Sequence, residues 1–424
     1  MVELFNIDKG DIVSITGAGG KTSLMFFLAN SLSEKGTVLI TTTTKIFKPK
    51  DTKKIKLIFI GPEEIHSISP QDNYIYLYCP NIIDNKIQSA SFEDVNKLKS
   101  KFDYILIEAD GSSGKSLKGW KENEPQILSI STKTIAVIDI TTLGEVKSES
   151  TIHRFNLYTE QFLQNSTSIT KEDIINYIDR EVFFKNSKGQ NIIFFNKIES
   201  LKFFEYFFEI ANSIKSNNIY FGSVFNSSIS KFKNITAIIL ASGFSKRFGT
   251  NKLDIKLKNK MTLLEHVLFN VTQLQFKEKM LIGKDYLYLN LAHTYGFKYL
   301  ENIFSHLGQS QAVVLGTKFA TLDGFIFIPG DMPFLTKFSL LKIIWKFQIH
   351  NKIIVPFVNN QKYAPVLFPK KYSKNLLELK GDSGGREILN KTCFIKCTFE
   401  NSIEFFDIDT KEDLKLLEIS EEIL

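Results

Sequence analysis

Twice along this chain an apolar run breaks into small residues and is followed at close range by cationic and hydroxyl side chains. The first stretch is Ile12–Ser23, IVSITGAGGKTS; the second runs from Ile235 to Leu253, ITAIILASGFSKRFGTNKL. A strand that ends in glycines lets backbone N–H groups approach an anion closely, and a helix starting there adds its dipole. The two stretches lie in different halves of the chain. The expectation is therefore two nucleotide-handling domains.

The rest of the sequence fits that expectation. Short apolar runs such as Val38–Thr41, Tyr104–Glu108 and Asn191–Asn196 alternate with helical patterns such as Lys21–Glu34 and Leu201–Lys215. That rhythm predicts an α/β fold with mostly parallel sheets covered by helices. It pauses over Phe225–Asn234, FNSSISKFKN, which is polar and without an apolar period, and resumes at Ile235. A linker is expected there, separating a domain over 1–232 from one over 233–424. A length of 424 residues gives each half enough chain for its own core. The net charge of +7 suits acidic substrates such as polyphosphates, and solvated lysine-rich faces explain it equally. No basic stripe with interleaved aromatics points to nucleic acid. No apolar run reaches about 18 residues and no signal-peptide pattern opens the chain, so a cytoplasmic protein away from membranes is expected. Cys79, Cys393 and Cys397 have no metal or redox spacing and read as buried free thiols.

In the second half, residues suited to nucleotidyl transfer recur in order. Gly243 lets the chain turn close to phosphates. Arg247 can grip phosphate oxygens in a fork, and Lys252 supplies a point charge. Phe325–Phe334, FIFIPGDMPF, is a strand delivering Asp331 to its carboxyl end, where open α/β sheets keep their sites and a carboxylate can hold Mg²⁺. Singly, each of these also reads as a turn or cap.

As an ordered set, Leu240-Ala241-Ser242-Gly243 through Arg247 and Lys252, LLEHVL (Leu263–Leu268), GDMPF, GDSGGR (Gly381–Arg386) and DIDTKEDL (Asp407–Leu414) resemble the molybdenum cofactor cytidylyltransferases of the MobA-like nucleotidyltransferase family. The resemblance implies a Rossmann-like nucleotidyltransferase domain. It implies transfer of CMP from CTP to molybdenum-bound molybdopterin, with Asp331 and Asp409 as Mg²⁺ ligands and Asp407 beside them. Asp382 and Arg386 have two readings, acceptor binding and capping of a short helix. Where the family often has Gly-His-Pro, this chain reads Tyr363-Ala364-Pro365. A guanylyl or sugar-phosphate transferase on the same fold is the first rival reading; a nucleotide-gated cofactor-binding chaperone is the second.

In the first half, Gly17, Gly19, Gly20, Lys21 and Thr22 form a shortened P-loop; the strict spacing asks for glycine where Ile15 stands. Lys21 would reach terminal phosphates and Thr22 would ligate Mg²⁺, with Glu108 and Asp110 at the end of a Walker-B-like strand. Asn196-Lys197, before Ile198-Glu199, reads either as a guanine-recognising loop or as a strand-end turn. Together with TTTTKIF (Thr41–Phe47), EADGSSGKSLKG (Glu108–Gly119), Glu124-Pro125 and His153-Arg154, this half resembles YqeC-type accessory proteins of selenium-dependent molybdenum hydroxylases. That implies a P-loop-like three-layer α/β domain, bound ATP or GTP, and a molybdenum hydroxylase apoprotein as partner. Thr41–Thr44 read as metal-bound phosphate ligands or as ordinary strand residues. His153-Arg154 read as an anion contact or as a surface pair on a helix.

Overall fold

The computed structural model describes residues 5–47, 57–162, 166–243, 251–257, 259–284, 286–382, 385–410, 412 and 413. The chain divides between Phe232 and Lys233 into two compact units.

The first unit is built on a nine-stranded sheet. Its strands are β1 (Ile12–Gly17), β2 (Val38–Thr42), β3 (Leu57–Ile60), β4 (Ile75–Tyr78), β5 (Tyr104–Glu108), β6 (Lys133–Asp139), β7 (Gln190–Asn196), β8 (Ile219–Ser223) and β9 (Ser228–Lys231). They run in the order β9-β8-β7-β6-β1-β5-β2-β4-β3. All neighbours are parallel except β8 and β9. Parallel strands buried on both faces are predominantly apolar, which is why β5 reads as an apolar run up to Glu108, while β1 buries Ser14 and Thr16 among its apolar residues. Val13, Ile15, Ile40, Leu106 and Val137 face one side, where α1 (Lys21–Ser33) adds Leu24, Met25, Leu28 and Leu32. Ile12, Leu39, Tyr76, Ile105 and Ile107 face the other, against Val95 and Leu98 of a short helix. The result is the expected helix–sheet–helix sandwich. A second helix, α2 (Leu201–Ser213), buries Phe204, Phe207 and Phe208; each such ring removed from water contributes about 1.5–3 kcal/mol.

The expected linker is corrected by β9. Ile229 and Phe232 are buried, and the Phe207 and Phe232 rings meet edge to face at 5.3 Å. The segment reads as polar because Ser228 and Lys231 are exposed and Ile229 alone of the four strand residues is buried.

The second unit carries β10 (Ile235–Ala241), β11 (Glu278–Gly283), β12 (Lys298–Glu301), β13 (Gly324–Pro329), β14 (Ile353–Val358), β15 (Gln361–Lys362), β16 (Val366–Pro369) and β17 (Phe394–Thr398). The order is β12-β11-β10-β13-β16-β14-β15, with β17 paired to β14. Strands β12, β11, β10 and β13 are parallel, and the chain leaves β10 first to one side and later to the other. The crevice at the carboxyl ends of β10 and β13 is therefore a topological switch point, the usual ligand position in open α/β sheets. Helix α3 (Leu263–Thr272) buries Leu264, Val267, Leu268 and Val271 at helical spacing, and a Thr262/Glu265 capping box starts it. Helix α4 (Ser310–Phe319) lays Ala312 and Val313 on the sheet beside Ile238 and Phe327.

Of the cysteines, Cys79 and Cys397 are buried as expected, but Cys393 is exposed, because it precedes the first residue of β17 and lies outside the sheet. No helix among the described residues is long and apolar enough to cross a membrane.

Candidate functional site

In the first unit the glycine turn lies between β1 and α1. The turn needs its glycines: at Gly19 (φ +88°) a Cβ would lie 2.3 Å from Asp139 Cβ, and at Gly20 (φ +122°) 2.6 Å from Asn196 Nδ2. No side chain caps the N-terminus of α1, which leaves its first turn to an outside acceptor. Lys21 is turned inward at 3% exposure. Its Nζ donates to the Gly17 carbonyl at 2.7 Å and lies 3.3 Å from Asp110 Oδ1 and 3.8 Å from Glu108 Oε1. Thr22 Oγ1 donates to Glu108 Oε2 at 2.7 Å. The glycines, Lys21, Thr22, Glu108 and Asp110 are thus gathered at the carboxyl ends of the neighbouring strands β1 and β5. Burial raises the Glu108 carboxyl above its ordinary value, against the pull of Lys21 and Thr22.

Behind the turn runs a chain of buried charges. Asp110 Oδ2 accepts from Gly17 N at 3.1 Å and from Lys118 Nζ at 2.9 Å. Lys118, with no exposed surface, also reaches Glu124 at 3.0 Å and lies 4.0 Å from the Trp120 ring centroid. Glu124 is gripped in turn by both terminal nitrogens of Arg154. Burial alone would raise the Glu124 carboxyl, but Arg154 and Lys118 outweigh it and bring it down to about 2. The reading of His153-Arg154 as a surface pair on a helix does not stand. Ile152–His153 pairs with Leu117–Lys118 as a short parallel bridge, Arg154 is left-handed and precedes the helix, and its guanidinium is committed to Glu124. Asp110 and Glu124 take up lysine and arginine that would otherwise be buried alone.

Asn196 acts as a tie. Its Nδ2 donates to the Gly19 carbonyl at 3.0 Å, and its Oδ1 accepts from Lys197 N and Val224 N. Lys197 pairs with Asp139, a fully buried carboxylate at the end of β6 that also accepts from Ser116 at 2.8 Å. Glu199 accepts from Ser223 at 2.6 Å. The hydroxyls of Thr41, Thr42 and Thr43 donate to the carbonyls of Tyr78, Glu108 and Gln126 respectively. Asp139 was not singled out in the sequence, because its partners Ser116 and Lys197 come from distant segments, and Lys118 stood within the Glu108–Gly119 motif without a role of its own.

In the second unit, Leu240 and Ala241 end β10, and Ser242 and Gly243 follow it. Ser242 Oγ accepts from the buried Asn302 at 3.0 Å, and Gly330 N donates to the Leu240 carbonyl at 2.9 Å, so the loops after β10 and β13 lie side by side. A Cβ at Gly243 would meet nothing within 4 Å among the described residues. Lys252 Nζ bridges Asp331 Oδ2 at 2.6 Å and Asp409 Oδ1 at 2.7 Å. The Asp331 carbonyl accepts from Ile408 N, which brings the late Asp407–Asp409 segment to the crevice. Burial pulls the Lys252 ammonium down, but the two carboxylates outweigh it and hold it above its ordinary value. Asp407 is raised by burial and by Asp331 and Asp409 nearby. Among the described residues no three potential ligands form a metal cage. A pair of carboxylates suits Mg²⁺, which commonly takes one or two from the protein and completes its shell with water and substrate phosphate. Arg247 lies outside the described residues.

Asp382 does not cap the helix Arg386–Lys391, which begins after Gly385 without a side-chain cap. It accepts instead from Gln309 N at 3.3 Å, while the Gly381 carbonyl accepts from Ser310 N, so this loop packs on the start of α4. The Arg386 side chain and Ser383 lie outside the described atoms.

Comparison with known proteins agrees with this division. The model of the YqeC protein family matches residues 13–156, and that of the MobA-like NTP transferase domain matches residues 237–395. The YqeC protein of Escherichia coli (strain K12) is 34% identical over 196 residues, covering 45% of this chain and 73% of that protein. A probable molybdenum cofactor guanylyltransferase of Natranaerobius thermophilus is 31% identical over 138 residues, covering 31% of this chain and 64% of that protein. A nucleotidyl transferase from Methanothermobacter thermautotroptrophicus of known structure is 15% identical with a TM-score of 0.38, covering 45% of this chain and 99% of that one. Through its first unit the chain belongs to the YqeC family, and through its second, a MobA-like NTP transferase domain, it is a nucleotidyltransferase.

Proposed function

We propose that the second unit transfers CMP from CTP to molybdenum-bound molybdopterin in molybdenum cofactor maturation. The observation that carries this reading is Lys252 held between Asp331 and Asp409 at the switch-point crevice. A phosphate oxygen of the acceptor attacks the α-phosphorus, the bond to the β-phosphate oxygen breaks, and pyrophosphate leaves. Asp331 and Asp409 would hold Mg²⁺, which supplies charge neutralisation at the α-phosphate. Lys252 and Arg247 bind the phosphates, the Leu240–Gly243 turn brings backbone N–H groups to them, and Asp382 and Arg386 bind the acceptor. The first unit binds ATP or GTP at Gly17, Gly19, Gly20, Lys21 and Thr22, with Asn196 and Lys197 bracing the turn, and serves a selenium-dependent molybdenum hydroxylase. The protein works in the cytoplasm, where nucleoside triphosphates are supplied.

The guanylyltransferase relative favours GTP as the second reading of the transferase substrate. Incubating the full chain with Mg²⁺, molybdenum-bound molybdopterin and either CTP or GTP, and weighing the product, decides between them. Asp331→Ala is expected to cost about 3 kcal/mol of transition-state stabilisation, roughly a hundredfold in pyrophosphate release, with the fold intact. Near-native release by that variant would remove the site assignment.

A further inference from the structure

The first unit contains a cavity of about 480 Å³ that the transferase reaction does not use. Its size falls within the range of small-molecule sites. Trp120 and Phe162 line its apolar floor at 4% and 5% exposure, and the most buried charged group in the wall is Glu124, at 7% exposure. That carboxylate is already neutralised from behind by Lys118 and Arg154, so it presents an acceptor edge without a net charge of its own. Lys121, Arg180 and Lys185 line the cavity as exposed cations, against one exposed carboxylate, Glu122. The balance at the rim is positive. Two of these cations are fixed in place: Arg180 donates to the Gln161 carbonyl and lies 5.2 Å from the Phe162 ring centroid, and Lys185 donates to the Glu122 carbonyl.

We propose that this cavity binds a small organic anion, with its apolar part against the floor of Trp120, Leu157 and Phe162 and its negative group toward the Arg180/Lys185 rim. Apolar lining with a few placed polar groups is the usual make-up of a small-molecule site, and rim cations select charge. The proposal is independent of nucleotide binding at the glycine turn, because none of the turn's residues line the cavity.

The test uses the full chain and two fluorescent probes of similar shape, anionic 1-anilinonaphthalene-8-sulfonate and neutral N-phenyl-1-naphthylamine. Titration of the sulfonate is expected to saturate at one site. The double variant Arg180→Glu/Lys185→Glu, whose side chains are exposed, is expected to weaken the sulfonate roughly tenfold and the neutral probe less than twofold. Lys121→Glu reads the same rim independently, with a loss in the same direction. Absence of saturable sulfonate binding overturns the proposal. So do an unchanged sulfonate affinity in both variants and an equal loss for both probes.

Discussion

Glu124 joins two cations, Lys118, which it shares with Asp110, and Arg154. Glu124→Gln keeps the volume but leaves Arg154 without its carboxylate and Lys118 with Asp110 alone. Breaking one side of a buried pair typically costs about 3–5 kcal/mol, so the urea midpoint of the transition reported by Trp120 should fall accordingly at pH 7. The folded carboxyl titrates at about 2 against an ordinary 4.5, so its contribution is complete above pH 4.5 and is lost as pH falls toward 2. His153 has the same sign in a higher window. Burial first, then Arg154, Lys118 and Lys115, depress its imidazole to about 4 from 6.5. The folded state therefore resists protonation, and stability is lost as pH drops from 6.5 toward 4. His153→Gln should flatten that part of the thermal stability profile, and a profile unchanged by the substitution would refute the assignment. The spacing of Lys21 and Thr22 after the glycines was legible, because one short segment contains both. The roles of Lys118 and Asp139 were not, since a lysine in a polar run looks solvated until the carboxylates that surround it are placed.

At the scale of elements, the two glycine turns differ in what demands the glycine. Gly20 is pressed against Asn196 with a positive φ, whereas a Cβ at Gly243 meets no atom within 4 Å among the described residues. Gly20→Ala should displace the Asn196 amide from the Gly19 carbonyl. It should cost about 1–3 kcal/mol and weaken ATP or GTP binding measured by calorimetry. Gly243→Ala should leave the melting temperature within about 2 °C of the parent while slowing pyrophosphate release, because no described residue meets the new methyl group and a bound phosphate would. Most strands were legible because doubly buried parallel strands are predominantly apolar. The short β12 and β15 were not, since two to four residues show no period. The strand β9 was mistaken for a linker because only Ile229 among its four residues is buried.

At the scale of the whole molecule, the division between Phe232 and Lys233 sets where the chain should be cut. Phe232 completes the core of the first unit, while Lys233 exchanges backbone hydrogen bonds with the fully buried Gln348 side chain of the second. Separation after Phe232 should give two fragments that each unfold cooperatively, with transferase activity in 233–424. Separation near Ser230 should destabilise the first fragment by exposing the Phe207–Phe221 stack. Differential scanning calorimetry of both pairs distinguishes the outcomes, and aggregation of both fragments cut after Phe232 would indicate a shared core. The order of the sheet carries one more consequence. The strand made first, β1, lies at the centre and must wait for β5 and β6, and the Gly19 carbonyl must wait for Asn196, 177 residues later. At ribosomal speed that is roughly 10–35 s of synthesis. A nascent first half thus spends that interval with its glycine turn unbraced, and the turn reaches its finished form only after β7 has left the ribosome.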